Sequence, residues 1–138
     1  MNKILLGLDG SASSFKALLR AMELAKLYDA ELHTISVEEL PHFSETIGEI
    51  AEEKDSEDTK FNSIVLKAKE IADASNLQIV THVFIGHEVK TIIDFAKKQK
   101  FDLLAIGFTG NSAIYERVMG STCQSLVRLA PCSVLVIK

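Results

Sequence analysis

The chain lacks tryptophan, holds two cysteines and two prolines among 138 residues, and contains no apolar run near the roughly 20 residues that span a bilayer. Cys123 and Cys132 form no Cys-x-x-Cys and have no histidine at ligand spacing, so neither a zinc site nor a disulfide framework is predicted. The first residues lack the pattern of a secretory signal peptide. We therefore expect a cytoplasmic protein with no membrane segment and with both thiols reduced.

Basic clusters are also missing. The 15 Lys and Arg residues are scattered and have no interleaved aromatic residues, so no nucleic-acid surface is predicted. The net charge of −4 is uneven, because residues 38–58 hold nine acids and one lysine while the remainder carries a charge of +4. Pro41 and Gly48 interrupt the pattern of regular structure there. We predict that 38–58 is an acidic, mobile loop.

Two hydrophobic periods alternate along the chain. Short, nearly continuous or alternating apolar runs predict strands at 3–8, 31–37, 78–84, 102–107 and 133–137. Apolar residues at three- and four-residue steps predict helices over about 13–28, 58–75, 89–100 and 122–129. This order requires a parallel sheet with helices on both faces, so we predict one doubly wound α/β domain over residues 1–138. Ligands of such domains bind beyond the carboxyl ends of the strands, where the strand order reverses.

The loop after the fourth predicted strand is rich in glycine. Gly107, Gly110 and Gly120 follow the spacing Gly-x2-Gly-x9-Gly, and Ser121 and Thr122 then open the last helix. Glycines permit positive φ and close backbone approach, while a helix start and two hydroxyls can donate to an anion. The loop therefore predicts a phosphate site, although it is neither a Walker P-loop nor a dinucleotide fingerprint. The alternative is that the glycines form turns and that Gly120 and Ser121 cap the helix.

This glycine spacing, the buried strand before it and the segment 130–136 resemble the universal stress protein family. The opening strand with its Asp9-Gly10-Ser11 turn resembles the same family, so the resemblance covers the whole chain. It points to the branch that binds ATP, and it implies a five-stranded α/β/α sandwich with strand order 3-2-1-4-5. It also implies a homodimer in which the fifth strands of two chains meet. The strand residues concerned are Val134, Leu135, Val136 and Ile137.

The resemblance implies a role for each part of the site. Leu8 and Asp9 would contact the adenosine, and Val37 would meet the adenine. The glycine loop would hold the phosphates through Gly107, Thr109, Gly110, Asn111, Gly120, Ser121 and Thr122. Two structural alternatives stay open, in which Asp9 caps the first helix and Val37 belongs to the core. No protein metal ligand is predicted, and Mg²⁺ or Mn²⁺ would bind through the phosphates.

The loop departs from the family pattern in its charge. Thr109 stands where many members carry a basic residue, and Arg117 is the only cation between Lys100 and Arg128. Backbone dipoles and a divalent cation would then have to meet the phosphate charge.

No catalytic set is found among the polar residues. His33 and His82 fall within predicted strands, His42 falls in the acidic segment, and His87 stands beside Glu88 at the start of a helix. We expect an ATP-binding, nucleotide-dependent switch of the stress response rather than a dedicated enzyme, with slow ATP hydrolysis left open. The alternative is a nucleotide-free, dimeric interaction module of the same fold.

Overall fold

The computed structural model describes residues 1–39, 47–110 and 118–138, and within 47–60 it describes the backbone alone. The five strands are β1 (Lys3–Gly7), β2 (Glu31–Glu38), β3 (Ile79–Ile85), β4 (Leu103–Gly107) and β5 (Ser133–Ile137). The four helices are α1 (Ala12–Tyr28), α2 (Ile47–Ala74), α3 (Glu88–Lys98) and α4 (Ser121–Leu129). None of the helices in this described part has the length and apolar character needed to cross a bilayer.

All four strand pairings are parallel, in the order β3-β2-β1-β4-β5, which confirms the predicted topology. β1 lies at the centre, where Leu5 pairs with His33 of β2 on one side and Leu104 of β4 on the other. The chain moves outward from β1 through β2 to β3, then crosses back and moves outward through β4 to β5. The reversal therefore lies between β1 and β4.

Apolar residues cover both faces of the sheet. One core cluster joins Leu6 of β1 to Leu18 of α1 and Ala68 of α2. The other cluster joins the opposite face of the sheet to Ile92 of α3 and Leu126 of α4. Successive strand residues point to opposite faces, so strands buried on both sides need nearly continuous apolar sequences. The three-layer α/β/α arrangement is confirmed.

The acidic segment differs from its prediction. α2 begins at Ile47, so residues 47–58 are helical and the predicted loop is wrong there, while Glu38 belongs to β2. The sequence 49–54 contains neither glycine nor proline and consists mostly of good helix formers. Gly48 lies in the first turn, where the N–H groups have no intrahelical acceptor and a glycine disturbs the helix little. Residues 40–46 lie outside the described part.

Local signals set the other helix ends. The Ser11 side chain accepts the Ser14 N–H at 3.1 Å and so caps α1. α2 ends just before Asn76, which has a left-handed φ of 56°. α3 ends with Lys97 and Lys98, whose charges suit the negative end of the helix dipole.

The amino ends of the central strands are joined by one carboxylate. Asp102 accepts the N–H groups of Asn2 at 2.7 Å and Lys3 at 2.8 Å, and its own N–H donates to the Lys3 carbonyl. These hydrogen bonds, that from Asn2 foremost, lower the pKa of Asp102. β1 and β4 are therefore held together at the end of the sheet opposite the predicted site.

Candidate functional site

A cavity of about 700 Å³ opens at the carboxyl edge of the sheet, between the loops that follow β1 and β4. Its volume falls within the usual range of small-molecule sites. Nine of the ten predicted binding residues line it: Leu8, Asp9, Val37, Gly107, Thr109, Gly110, Gly120, Ser121 and Thr122. The tenth, Asn111, lies outside the described residues. Val37 and the glycine loop, which lie about 30 and about 100 residues after the first strand, thus share one cavity with the turn that follows it.

The turn after β1 is held tightly. The Leu8 N–H donates to the Ile35 carbonyl at 2.9 Å, and the Leu8 carbonyl accepts the Ser36 hydroxyl at 2.6 Å. Asp9 Oδ1 accepts the N–H of Ser11 at 2.9 Å, so Asp9 orders the turn, whereas the helix cap is Ser11. The alternative of Asp9 as the cap of the first helix is therefore wrong.

The loop glycines have ordinary backbone conformations. Gly10 and Gly86 are the glycines with positive φ in the described part of the chain, at 87° and 155°. Gly107, Gly110 and Gly120 do not have positive φ, and Gly120 has φ −64° and ψ 151°. Freedom of φ therefore does not explain these glycines, and the absence of a side chain must matter for another reason.

Close packing requires a glycine at position 107 but not at position 120. A Cβ on Gly107 would overlap the Ser13 hydroxyl and lie 2.9 Å from the Ser13 backbone carbonyl. The same hydroxyl accepts the Thr109 N–H at 3.4 Å. A Cβ on Gly120 would make ordinary contacts, at 3.5–3.7 Å, with backbone atoms of the described residues Phe108, Thr109 and Gly110. Gly107 therefore allows β4 to approach α1, while a Cβ at Gly120 would fit without a clash among the described residues.

The start of α4 presents backbone donors to the cavity. Gly120 is its N-cap residue and supplies no side-chain cap, and the first turn contains no acidic residue. The N–H groups of the first turn have no intrahelical acceptor. Ser121, Thr122 and Cys123 all line the cavity. A helix start with these properties can bind an anion.

Carboxylates also line the cavity. Glu38 and Glu39 at the end of β2, Glu88 at the start of α3, and Asp9 all line it. Glu88 Oε1 accepts the Thr122 hydroxyl at 3.0 Å, and the Glu88 N–H donates to Glu39 Oε1 at 2.8 Å. Burial raises the pKa of Glu88, and the neighbouring charges of Asp9 and Glu39 raise it further, against the lowering effect of the Thr122 hydrogen bond.

No lysine, arginine or histidine is found among the lining residues in the described part of the chain. This agrees with the missing basic residue at Thr109, while Arg117 lies outside the described residues. The rest of the lining is largely apolar and includes Val37, which is 7% exposed and also belongs to the core. The core alternative for Val37 is thus compatible with its place at the cavity.

The histidines lie apart from the cavity. His87 caps α3 by accepting the Lys90 N–H at 3.3 Å. His33 Nδ1 and His82 Nε2 are 2.9 Å apart across β2 and β3, so the two rings share a hydrogen bond. Burial, and then the charge of His33, lower the pKa of His82. His42 lies outside the described residues.

The sequence model of the universal stress protein family matches residues 1–138. The chain belongs to the universal stress protein family. A universal stress protein of Methanocaldococcus jannaschii is 32% identical over 144 residues, covering 99% of this chain and 81% of the relative. The solved structure of the universal stress protein UspA from Lactobacillus plantarum has a TM-score of 0.88 and 26% identity, covering 99% of this chain and 97% of its own. A universal stress protein in complex with cAMP has a TM-score of 0.76 and 25% identity over the same shares.

Three carboxylates of this universal stress protein site, those of Glu38, Glu39 and Glu88, are missing from the predicted binding residues. Glu38 and Glu39 were assigned to the acidic segment, and Glu88 drew notice only as the neighbour of His87. One signal was available, because Glu38 directly follows a buried strand and Glu88 opens the helix after the neighbouring strand. Parallel strands bring such positions to one edge of the sheet.

Proposed function

We propose that this universal stress protein binds ATP in the cavity at the carboxyl edge of its sheet and acts as a nucleotide-dependent switch of the stress response. The observation that carries the proposal is the convergence of nine predicted residues, from the turn after β1, the end of β2 and the glycine loop, on one cavity. The cAMP complex of a relative supports an adenine ligand for this chain. The size of the cavity is suited to a nucleotide.

Each part of the cavity offers chemistry for one part of the ligand. The uncapped start of α4, with the Ser121 hydroxyl, would receive phosphate oxygens. Asp9 would accept ribose hydroxyls, and the strand end at Val37 would meet the adenine. No group of three His, Cys, Asp or Glu side chains arranged for a metal ion is found among the described residues. Mg²⁺ or Mn²⁺ would therefore come with the phosphates. The proposal assigns no catalytic residue.

Thermal unfolding with and without ATP and Mg²⁺ tests the proposal. A ligand that binds only the folded state stabilises it by about 2.7 kcal/mol at a concentration about 100 times its Kd. We expect a dose-dependent rise in Tm for the wild type and none for Gly120→Val, where φ is ordinary and a Cβ makes only ordinary contacts with the described residues. Ala130→Val at the other end of α4, with φ −61° and ψ 141°, is the matched control and should keep the rise.

Two outcomes would contradict this assignment. An unchanged wild-type Tm at roughly millimolar ATP would exclude the nucleotide switch and leave the dimeric interaction module as the better interpretation. A full ligand response in Gly120→Val would place the ligand elsewhere than at the start of α4.

We further propose a homodimer through β5. β5 is an edge strand, and its backbone groups on one side pair with no strand in the described part. Val134, Leu135 and Val136 are half-buried and Ile137 is buried, so a second copy could extend the sheet with an apolar strand. Isologous pairing of this kind is the commonest assembly among homo-oligomers.

Sedimentation velocity measures the dimer directly. Val136→Lys should shift the protein to the monomer, whereas Val83→Lys on the opposite edge strand β3 should leave the mass unchanged. Val83 is 40% exposed and provides the matched control for an added charge at a sheet edge. A wild-type monomer, or an equal effect of both variants, would refute pairing through β5.

A cytoplasmic location is part of the proposal. Cys123 and Cys132 are free thiols, and burial raises the pKa of both, so neither thiol is activated. Two unpaired, unreactive cysteines are the ordinary state of thiols in a reducing compartment. Labelling the thiols in intact cells before and after reduction tests this, and a disulfide in the cellular protein would contradict it.

A further inference from the structure

A carboxylate already occupies the place where phosphate charge would be received. Glu88 Oε1 is 3.0 Å from the hydroxyl of Thr122, the second residue of α4. Glu88 is the first residue of α3 and is half-buried, so its charge is less screened by water than that of a surface side chain. The positive end of the α4 dipole therefore has one anion beside it before any ligand binds.

The hydrogen bond has a direct consequence for the phosphate site. A hydroxyl has a single proton to donate, and Thr122 donates it to Glu88. A phosphate oxygen that accepted this proton would have to displace the carboxylate and then lie close to it. The Ser121 hydroxyl and the backbone N–H groups of α4 remain as the donors for which Glu88 does not compete directly.

Other carboxylates keep Glu88 in place and add to its charge. Its N–H donates to Glu39 Oε1 at 2.8 Å, so α3 begins against the end of β2. The negative charges of Asp9 and Glu39 raise the pKa of Glu88, and the charge of His87 lowers it. Glu38 lines the same cavity, and no cationic side chain lines it within residues 1–39, 47–110 and 118–138.

We infer that Glu88 is a specificity-determining residue that selects ligands by phosphate charge: it weakens binding for each additional phosphate charge that no cation neutralises. The favoured ligands are then adenosine monophosphates, and ATP only together with a divalent cation. This inference rests on the proposed function, because it concerns the ligand of the same cavity. The Glu88 charge acts against highly charged ligands, whereas the glycine loop attracts the phosphates.

Calorimetric titration with AMP, ADP and ATP, in EDTA and without divalent cation, tests the inference. Glu88→Gln removes the charge and retains an oxygen that can accept the Thr122 proton. We expect this variant to bind each nucleotide more tightly than the wild type, by a factor that grows about threefold with each added phosphate charge. With Mg²⁺ present, the gain for ATP should shrink because the cation already neutralises phosphate charge.

Two controls separate a local effect from other causes. Glu70→Gln makes the same change of net charge at an exposed position of α2 outside the cavity, and it should leave all three affinities unchanged. Glu88→Ala removes the charge together with the hydrogen bond, and it should show the same gradient across the three nucleotides. Circular dichroism and thermal unfolding establish that each variant is folded.

The outcomes distinguish this inference from the proposed function. An equal factor for AMP, ADP and ATP in Glu88→Gln, or the same gradient in Glu70→Gln, would overturn charge selection by Glu88 while nucleotide binding stood. A lack of binding of every nucleotide, with and without Mg²⁺, to the wild type and to both Glu88 variants would refute the proposed function and the inference with it.

A change of pH gives an independent readout. Burial raises the pKa of Glu88, so this carboxyl takes up a proton at a higher pH than an exposed glutamate. The ratio of ATP affinity between Glu88→Gln and the wild type should therefore fall towards one as the pH is lowered from about 7.5 through the folded pKa of Glu88. A terminal phosphate also takes up a proton at about pH 6, and the smaller charge of ATP lowers the ratio in the same direction. A ratio that stayed constant over this interval would contradict the inference.

Discussion

Substitution of Gly107 by alanine tests whether close packing against α1 requires a glycine at this position of the cavity loop. A Cβ at this position would overlap the Ser13 hydroxyl and lie 2.9 Å from the Ser13 backbone carbon and oxygen. A hydroxyl can rotate away, but the backbone of the first turn of α1 cannot move without disturbing the core beneath it. Gly107→Ala must therefore push β4 and α1 apart.

The size of the effect follows from two opposing contributions. Overpacking of a well-packed interior costs about 1–3 kcal/mol. The loss of glycine entropy from the unfolded chain returns about 0.4–1 kcal/mol. We expect Gly107→Ala to lower the free energy of unfolding by about 1–2 kcal/mol. At Gly120, φ is −64° and a Cβ would make only ordinary contacts with the described residues. Only the second contribution then applies, so Gly120→Ala should be neutral or slightly stabilising.

Urea unfolding of the two variants without ligand measures the difference. Both should keep the wild-type m-value, since neither changes the surface exposed on unfolding. Ser13→Ala in the Gly107→Ala background should recover less than half of the loss, because the clash with the backbone carbonyl remains. Stabilities of Gly107→Ala and Gly120→Ala that agree within about 0.5 kcal/mol would refute the packing argument.

Three further perturbations test the fold away from the cavity. Ser11→Ala removes the acceptor of the Ser14 N–H and should lower stability by about 1 kcal/mol in urea unfolding, so an unchanged midpoint would contradict the cap. The pKa of Asp102 is lowered by folding, so its contribution is present above the unfolded pKa of about 3.9 and disappears as the pH falls through the folded pKa. Asp102→Asn should flatten the acid side of the stability curve, and a wild-type slope below about pH 4 would contradict this. The pKa of His82 is lowered from 6.5, so stability is full above that pH and decreases as the pH falls towards the folded pKa. His82→Phe, which leaves His33 without its ring partner, should remove that slope between about pH 7 and about pH 5, and equal slopes would be evidence against the predicted shift.

The elements and their order could be predicted because each leaves a local pattern. β1 and β4 are buried on both faces and read as nearly continuous apolar runs, and Ser11 marks the start of α1. The first turns of α2 could not be predicted in this way. The signals of Pro41 and Gly48 outweighed the helix propensity of the charged residues that follow, although a glycine in a first turn costs little.

Positions in the candidate site were easier to predict than contacts. Parallel topology alone brings the turn after β1 and the glycine loop after β4 to one edge, so their sequence separation does not matter. The contacts of Glu88 with Glu39 and Thr122 join residues 49 and 34 positions apart, and they depend on rotamers and on the lengths of β2 and α3. No periodicity or spacing encodes such contacts, because they arise only when three separate elements end at the same point.

The two ends of the sheet therefore have different physical tasks. At the amino end, Asp102 joins the starts of β1 and β4, and this end supplies stability. At the carboxyl end the same two strands lead into helices on opposite faces, so their loops must separate and leave a crevice. The topology fixes where a ligand can bind, whereas Glu88 and its neighbouring carboxylates determine which charge the crevice accepts. Since these two properties depend on different residues, a change at Glu88 should alter the choice of ligand without moving the site or loosening the fold.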